Sequence, residues 1–124
     1  MATLKLGMDI LFDEGVTIDS FMGHGGLFKT EGVCQKYLAA AFNAPVSCMT
    51  TAGEGGPYGM AVLAAYCSEK SDGLSLEDYL SNTVFKDTPY TTVSPDPSDV
   101  KGFEAYMKLY RQLLRVERTA IEVL

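Results

Sequence analysis

Basic charge is scarce in this sequence. Ten Lys and Arg residues stand against sixteen Asp and Glu, a formal net charge of −6 over 124 residues. A nucleic-acid binder needs a cationic face to neutralise phosphates. The richest basic stretch, Arg111 to Arg118, is interrupted by Glu117 within an amphipathic pattern. Neither nucleic acid nor an anionic membrane is therefore an expected partner. Cysteine is also sparse: Cys34, Cys48 and Cys67, an odd number without CxxC spacing. That argues against a disulfide framework and a zinc knuckle, and for buried, reduced thiols in a cytoplasmic protein. No apolar run approaches the roughly 20 residues that a membrane span requires. The opening Met1-Ala2-Thr3-Leu4-Lys5 has neither the apolar core nor the cleavage site of a signal peptide. His24 is the single histidine, so no Ser/His/Asp or Cys/His arrangement can be argued from an unpartnered imidazole. There is no GxGxxG and no GxxxxGK[ST] run. Asp9, Asp13, Glu14 and Asp19 make no metal motif, so no metal ligands are expected from this chain. Internal repeats and low-complexity segments are absent as well.

What remains is enough for one small domain. Hydrophobic residues make up 47% of the chain, which favours folding over disorder. A domain of this size buries only about two thirds of its unfolded surface and holds one core.

The patterning predicts an α/β order. Leu4, Met8 and Leu11 place a helix over residues 2–12. Val16 to Met22 alternates and reads as a strand. Gly23-His24-Gly25-Gly26 follows it directly. A second helix is expected over about 30–42, with Thr30 as N-cap and with Asn43 and Pro45 as its stop. Val46 to Thr50 reads as a second strand, followed by Gly53-Glu54-Gly55-Gly56. A helix over about 57–67 opens on Pro57 and is rich in small residues, namely Gly59, Ala61, Ala64 and Ala65, a face suited to close packing. Two strands joined through a helix are expected to be parallel, with a right-handed crossover. Two such strands make a poor sheet alone, which hints at a missing part. Ser75-Leu76-Glu77-Asp78 opens a short helix to about residue 82. Residues 83–97 read as a Thr- and Pro-rich surface loop. Asp96-Pro97-Ser98-Asp99 then starts a helix to about residue 121, with a stripe at Val100, Phe103, Met107, Tyr110 and Leu114.

The two glycine runs are the natural places for a ligand. Both lie at carboxyl ends of strands, where open α/β sheets bind ligands. Glycine lets the backbone approach closely, and a following helix N-terminus favours an anion. A tight strand-to-helix turn with no ligand explains the same spacing. His24 reads as a base or as a structural residue, and Glu54 as an acid or as an acceptor for loop N–H groups.

Phe21-Met22-Gly23-His24-Gly25-Gly26-Leu27-Phe28-Lys29-Thr30, followed by Gln35, resembles the adenosine motif of the FGGY carbohydrate kinases. In that family a strand ends in a Gly-Gly run, a Ser or Asn follows, and a Gln lies on the next helix. Pro45-Val46 resembles the next short strand. Glu54 with Tyr58-Gly59-Met60-Ala61-Val62-Leu63-Ala64-Ala65 resembles the family's Glu and Gly-Ala-Ala helix. Thr91-Thr92-Val93-Ser94-Pro95-Asp96-Pro97 resembles the xylulokinase-like branch. Leu27 stands where a third glycine is frequent, and Thr30 where Ser or Asn is usual.

The resemblance implies the C-terminal portion of an actin-like ATPase domain, related to ribonuclease H, with a short parallel β-α-β core and flanking helices. Residues 1–70 would be the nucleotide-binding core of the second kinase subdomain, and residues 71–124 a helical extension with the Pro/Thr-rich loop. The implied reaction is ATP-dependent phosphorylation of a sugar hydroxyl, xylulose or a related ketose, with Mg²⁺ bridging the phosphates. Gly25 and Gly26 would lie against the adenosine and inner phosphates, with Leu27 and Thr30 beside the adenine. The family's catalytic Asp, its phosphate motifs and its sugar pocket precede the matched region. The chain is thus expected to be a fragment, a cloned subdomain or a reading frame begun at an internal Met. It would meet ATP or ADP itself and sugar only through the missing N-terminal region, and it would not be catalytically competent alone. The other readings are a non-catalytic α/β binding module and a homodimerising domain, the latter favoured by an open sheet edge and an uncovered apolar helix face.

Overall fold

A computed structural model describes residues 1–123. Its elements, in chain order, are α1 (Ala2–Asp13), β1 (Phe21–Gly23), α2 (Val33–Phe42), β2 (Val46–Met49), α3 (Gly55–Glu69), α4 (Leu76–Tyr79), β3 (Tyr90–Val93) and α5 (Pro97–Val123). The three strands form one sheet in the order β1-β2-β3. Phe21 N–H donates to the Pro45 carbonyl at 2.9 Å and Gly25 N–H to the Ala52 carbonyl at 2.6 Å. Donor and acceptor numbers climb together, as they do for parallel neighbours. Between β2 and β3 they climb in opposite senses. The Ser47 and Thr92 hydroxyls meet at 2.8 Å, and Thr50 N–H donates to the Pro89 carbonyl at 3.2 Å. The fold is mixed α/β, with an antiparallel strand beside the expected β-α-β pair.

The chain forms two compact units. The first combines Met1–Phe21, Lys36–Val46 and the chain from Val93 onward. Its core is rich in alanine: Ala39, Ala40, Ala41 and Ala44 are buried with Val46 and Met107. Small side chains let helix backbones approach, and the aromatic bulk comes from Phe21 stacked on Phe42 at 4.7 Å. Asn43 adopts φ 50° just past α2, the left-handed helix stop for which Asn is suited. At the head of α5 the Asp96 carboxylate accepts from Ser98 N–H at 2.8 Å and Asp99 N–H at 3.2 Å. The cap forms as expected. The expected α5 stripe is the inward one, with Met107 buried and Val100, Phe103, Tyr110 and Leu114 half-buried.

Asp9 ties α1 to α5. It pairs with Lys5 one turn back and accepts from Arg111 Nη2 at 2.7 Å. The Lys5 hydrogen bond, then the charges of Lys5 and Arg111, hold its carboxyl below the usual carboxylate range against the opposing effect of burial. A depressed folded pKa contributes stability above the unfolded value of about 4, lost as pH falls through the folded value. Asp9→Asn should cost about 1 kcal/mol at pH 7 in urea unfolding. The gap from the parent chain should close as the pH is lowered below about 4.

The second unit combines Met22–Gln35 with Ser47–Thr92. Gly26–Lys29 and Ala52–Glu54 each form a 3₁₀ turn. Tyr79 is buried with its ring 5.3 Å from Tyr66, whose hydroxyl donates to the Leu74 carbonyl at 2.8 Å. Ser75 caps α4 by accepting from Asp78 N–H at 3.0 Å. Leu80–Val84 continues as a wider π turn.

Four expectations are corrected. The first strand is only Phe21–Gly23. Residues 16, 17, 19 and 20 are exposed, so the alternation there has no buried face to serve. Thr30 does not cap α2, because Glu31 and Gly32 (φ 73°) intervene before Val33. Residues 83–97 are not all loop, since Tyr90-Thr91-Thr92-Val93 pairs as β3. The small residues of α3 bury nothing: Ala61 and Ala64 are exposed, and Gly59 and Ala65 are half-buried.

Candidate functional site

The two glycine turns of the second unit come together. Gly25 N–H donates to the Ala52 carbonyl at 2.6 Å, and Lys29 pairs with Glu54. This settles which atoms Glu54 meets: it pairs with the lysine of the first turn. Gly25 holds φ 105°, a region that side chains avoid, and this conformation aims its N–H at the second turn.

The glycines divide into two sets. Three lie close against side chains of the chain itself. A Cβ on Gly23 would lie 2.0 Å from the Phe28 ring, one on Gly55 would lie 2.7 Å from His24 Nδ1, and one on Gly53 would lie 3.2 Å from Lys29 Cγ. The first turn thus lays Phe28, His24 and Lys29 against backbone that has no side chain. Gly26 and Gly56 are different, because a Cβ on either would meet nothing within 4 Å. Their freedom from side chains is not demanded by any contact within the chain. Gly56 also lies in the first turn of α3, whose N–H groups lack helical acceptors.

A groove of about 320 Å³ opens along this region, lined by Phe28, Lys29, Glu31, Gln35, Thr50 and Thr91 among others. Gln35 is 2% exposed, and its amide donates to the Thr91 carbonyl at 3.0 Å while accepting from the Thr91 hydroxyl at 3.4 Å. The glutamine on α2 is thereby a brace between helix and sheet. Of the cysteines expected to be buried, Cys34 is buried and Cys48 half-buried, but Cys67 is exposed on α3. Burial pushes the Cys34 and Cys48 thiols up, so they stay protonated.

Residues 1–68, more than half of the chain, match the C-terminal domain of the FGGY family of carbohydrate kinases. The chain belongs to that family. Nothing among curated proteins or solved structures matches it. The match makes this a carbohydrate-kinase domain, that is, a transferase domain of carbohydrate metabolism.

Of the four residues singled out from the sequence, Gly25 is half-buried between the turns, Gly26 is exposed, Leu27 is 76% exposed and Thr30 is exposed. They sit on the first turn itself, and none lines the groove. Lys29, Thr50 and Thr91 do line it and were missed by the sequence reading. Lys29 carried a signal, as a lone cation after a glycine run. Thr50 and Thr91 carried none, because only the pairing of β2 with β3 brings them to one groove. Among the described residues no group of three or more His, Cys, Asp or Glu is placed to hold a metal ion. No described helix is long and apolar enough to cross a membrane.

Proposed function

We propose that this chain supplies the adenosine-binding side of an ATP-dependent sugar kinase. The observation that carries this is the pair of interlocked glycine turns, in which Gly26 and Gly56 present backbone without a side chain to open space. In an FGGY kinase domain, such space beside a helix start suits a nucleotide. ATP would supply the transferable phosphoryl group. Gly25 and Gly26 offer backbone free of side chains to adenosine and the inner phosphates, Leu27 offers an exposed apolar surface to the base, and Thr30 a hydroxyl at its edge. The Gly25–Ala52 hydrogen bond and the Lys29–Glu54 pair hold the two turns in register, which is the positioning on which phosphoryl transfer depends.

Mg²⁺ would be held by the nucleotide phosphates with one or two carboxylates at most, and this reading assigns no ligand to it within the chain. The catalytic base and the sugar contacts belong to residues outside this chain, and the chain alone is not competent. In this reading residues 1–70 form the nucleotide core and 71–124 its extension, the larger fold is actin-like, the protein is cytoplasmic, and the sugar is xylulose or a related ketose. The Thr91–Pro97 stretch supports that branch.

A two-dimensional amide NMR titration with Mg·ADP tests the reading. Shifts should be confined to Gly23–Gln35 and Gly53–Gly59, with a Kd on the order of 1 mM for half a site. A dispersed spectrum without shifts at saturating nucleotide would overturn it for this chain.

A further inference from the structure

Helix α5 carries two apolar stripes, and one of them is uncovered. Phe103, Met107, Tyr110 and Leu114 form the inward one. A second run, Tyr106, Leu109, Leu113, Val116, Ala120 and Val123, steps by three, four, three, four and three. That is an unbroken a/d heptad seam. All six residues are exposed, Leu113 by 65%, Val116 by 66% and Val123 by 80%. From Arg115 to Val123 no residue is even half-buried. A helical end exposed to this degree is marginal in water, so the seam has both a pattern and a use for a partner.

We propose that this seam pairs with the same seam of a second copy of the chain, as an antiparallel two-helix coiled coil. Knobs at a and d need holes of the same period on the facing helix. Among the described helices, α5 alone presents an exposed seam of this length. The order of side-chain sizes fixes the direction. Antiparallel pairing about the middle of the seam sets Leu113 against Val116, Leu109 against Ala120 and Tyr106 against Val123. Each layer then joins a larger residue to a smaller one, which fills the interface evenly. Parallel pairing in register would stack Tyr106 on Tyr106 and leave a void between two Ala120 methyls. The antiparallel arrangement also opposes the helix dipoles. Gln112 and Thr119, which flank one side of the seam, bring no charge to repel across a two-fold axis. Two and a half heptads bury on the order of 1,000 Å² in total, the lower bound for a specific interface. The dimer should be reversible and concentration-dependent.

Sedimentation velocity of the full chain over roughly 5 to 200 μM tests this. A species of twice the 13.4 kDa chain mass should grow with concentration. Leu113→Glu and Val116→Lys should each weaken it by roughly tenfold or more, and Arg118→Glu, off the seam, should leave it unchanged. Circular dichroism at low concentration should show each variant still folded, since the altered side chains are exposed in the single chain. Mixing Leu113→Glu with Val116→Lys should restore the dimer, because only antiparallel layers bring those positions together. A monomer at every concentration, or a dimer indifferent to both seam substitutions, overturns the proposal. A parent dimer with no rescue in the mixture overturns its antiparallel form.

Discussion

Val46→Asp is expected to abolish folding of the chain. Val46 is 0% exposed and is the largest side chain that is fully buried. It opens β2 at the close of the alanine-rich segment of the first unit. The buried neighbours in sequence, Ala39, Ala40, Ala41 and Ala44, are too small to compensate for it. Among the described residues no Lys or Arg of this unit is buried to pair with a new carboxylate. The charge must either be desolvated or be neutralised by a raised pKa, at several kcal/mol in either case. Small domains hold about 5–10 kcal/mol in total, toward the low end at this size, so the substitution consumes most of it. Far-UV circular dichroism should show loss of helix at 25 °C, and the cooperative urea transition should vanish. Val46→Ala, which removes volume without adding charge, should cost about 2 kcal/mol and keep the transition. A Val46→Asp chain with the parent's urea midpoint would show that the first unit is not organised around this position.

How far the sequence revealed this fold follows from the range of each interaction. The inward stripe of α5 is written in local spacing, and Met107 lies at its centre as the period requires. The caps at Ser75 and Asp96 are local too, and both form. Strand β3 escaped notice because Pro89, Pro95 and Pro97 surround its Tyr-Thr-Thr-Val. Its identity as a strand comes from β2, through the Ser47–Thr92 and Thr50–Pro89 contacts, which no local window contains. The reverse error at Val16 to Ser20 has the same origin: alternation predicts a strand only where a partner offers a face. At the site, the glycine runs were legible as turns. Their division into glycines used by Phe28, His24 and Lys29 and glycines left open was not, because it depends on where three side chains fold back. The pairing of Lys29 with Glu54 likewise joins two turns that only the folded chain brings together.

That division yields the sharpest functional test, because neighbouring glycines should respond to the same methyl group in opposite ways. Gly25→Ala should destabilise the fold. Its Cβ would meet no atom within 4 Å, but φ of 105° lies where an L side chain strains its own backbone, at a cost of about 1–3 kcal/mol. Relaxing that strain turns the N–H away from the Ala52 carbonyl, and the two turns lose register. Gly26→Ala should leave stability within about 0.5 kcal/mol of the parent, since the space beside Gly26 is open and its φ is not in the left-handed region. If that space receives the nucleotide, the methyl group occupies it, and the Mg·ADP-dependent amide shifts should weaken by roughly tenfold or disappear. Urea unfolding followed by the NMR titration separates the two effects. Gly25→Ala should move the urea midpoint and the shifts together, and Gly26→Ala should change the shifts alone. Unchanged nucleotide shifts in Gly26→Ala would place the ligand away from the first turn, in the groove between Lys29, Thr50 and Thr91. Lys29→Ala would then be the variant that loses binding.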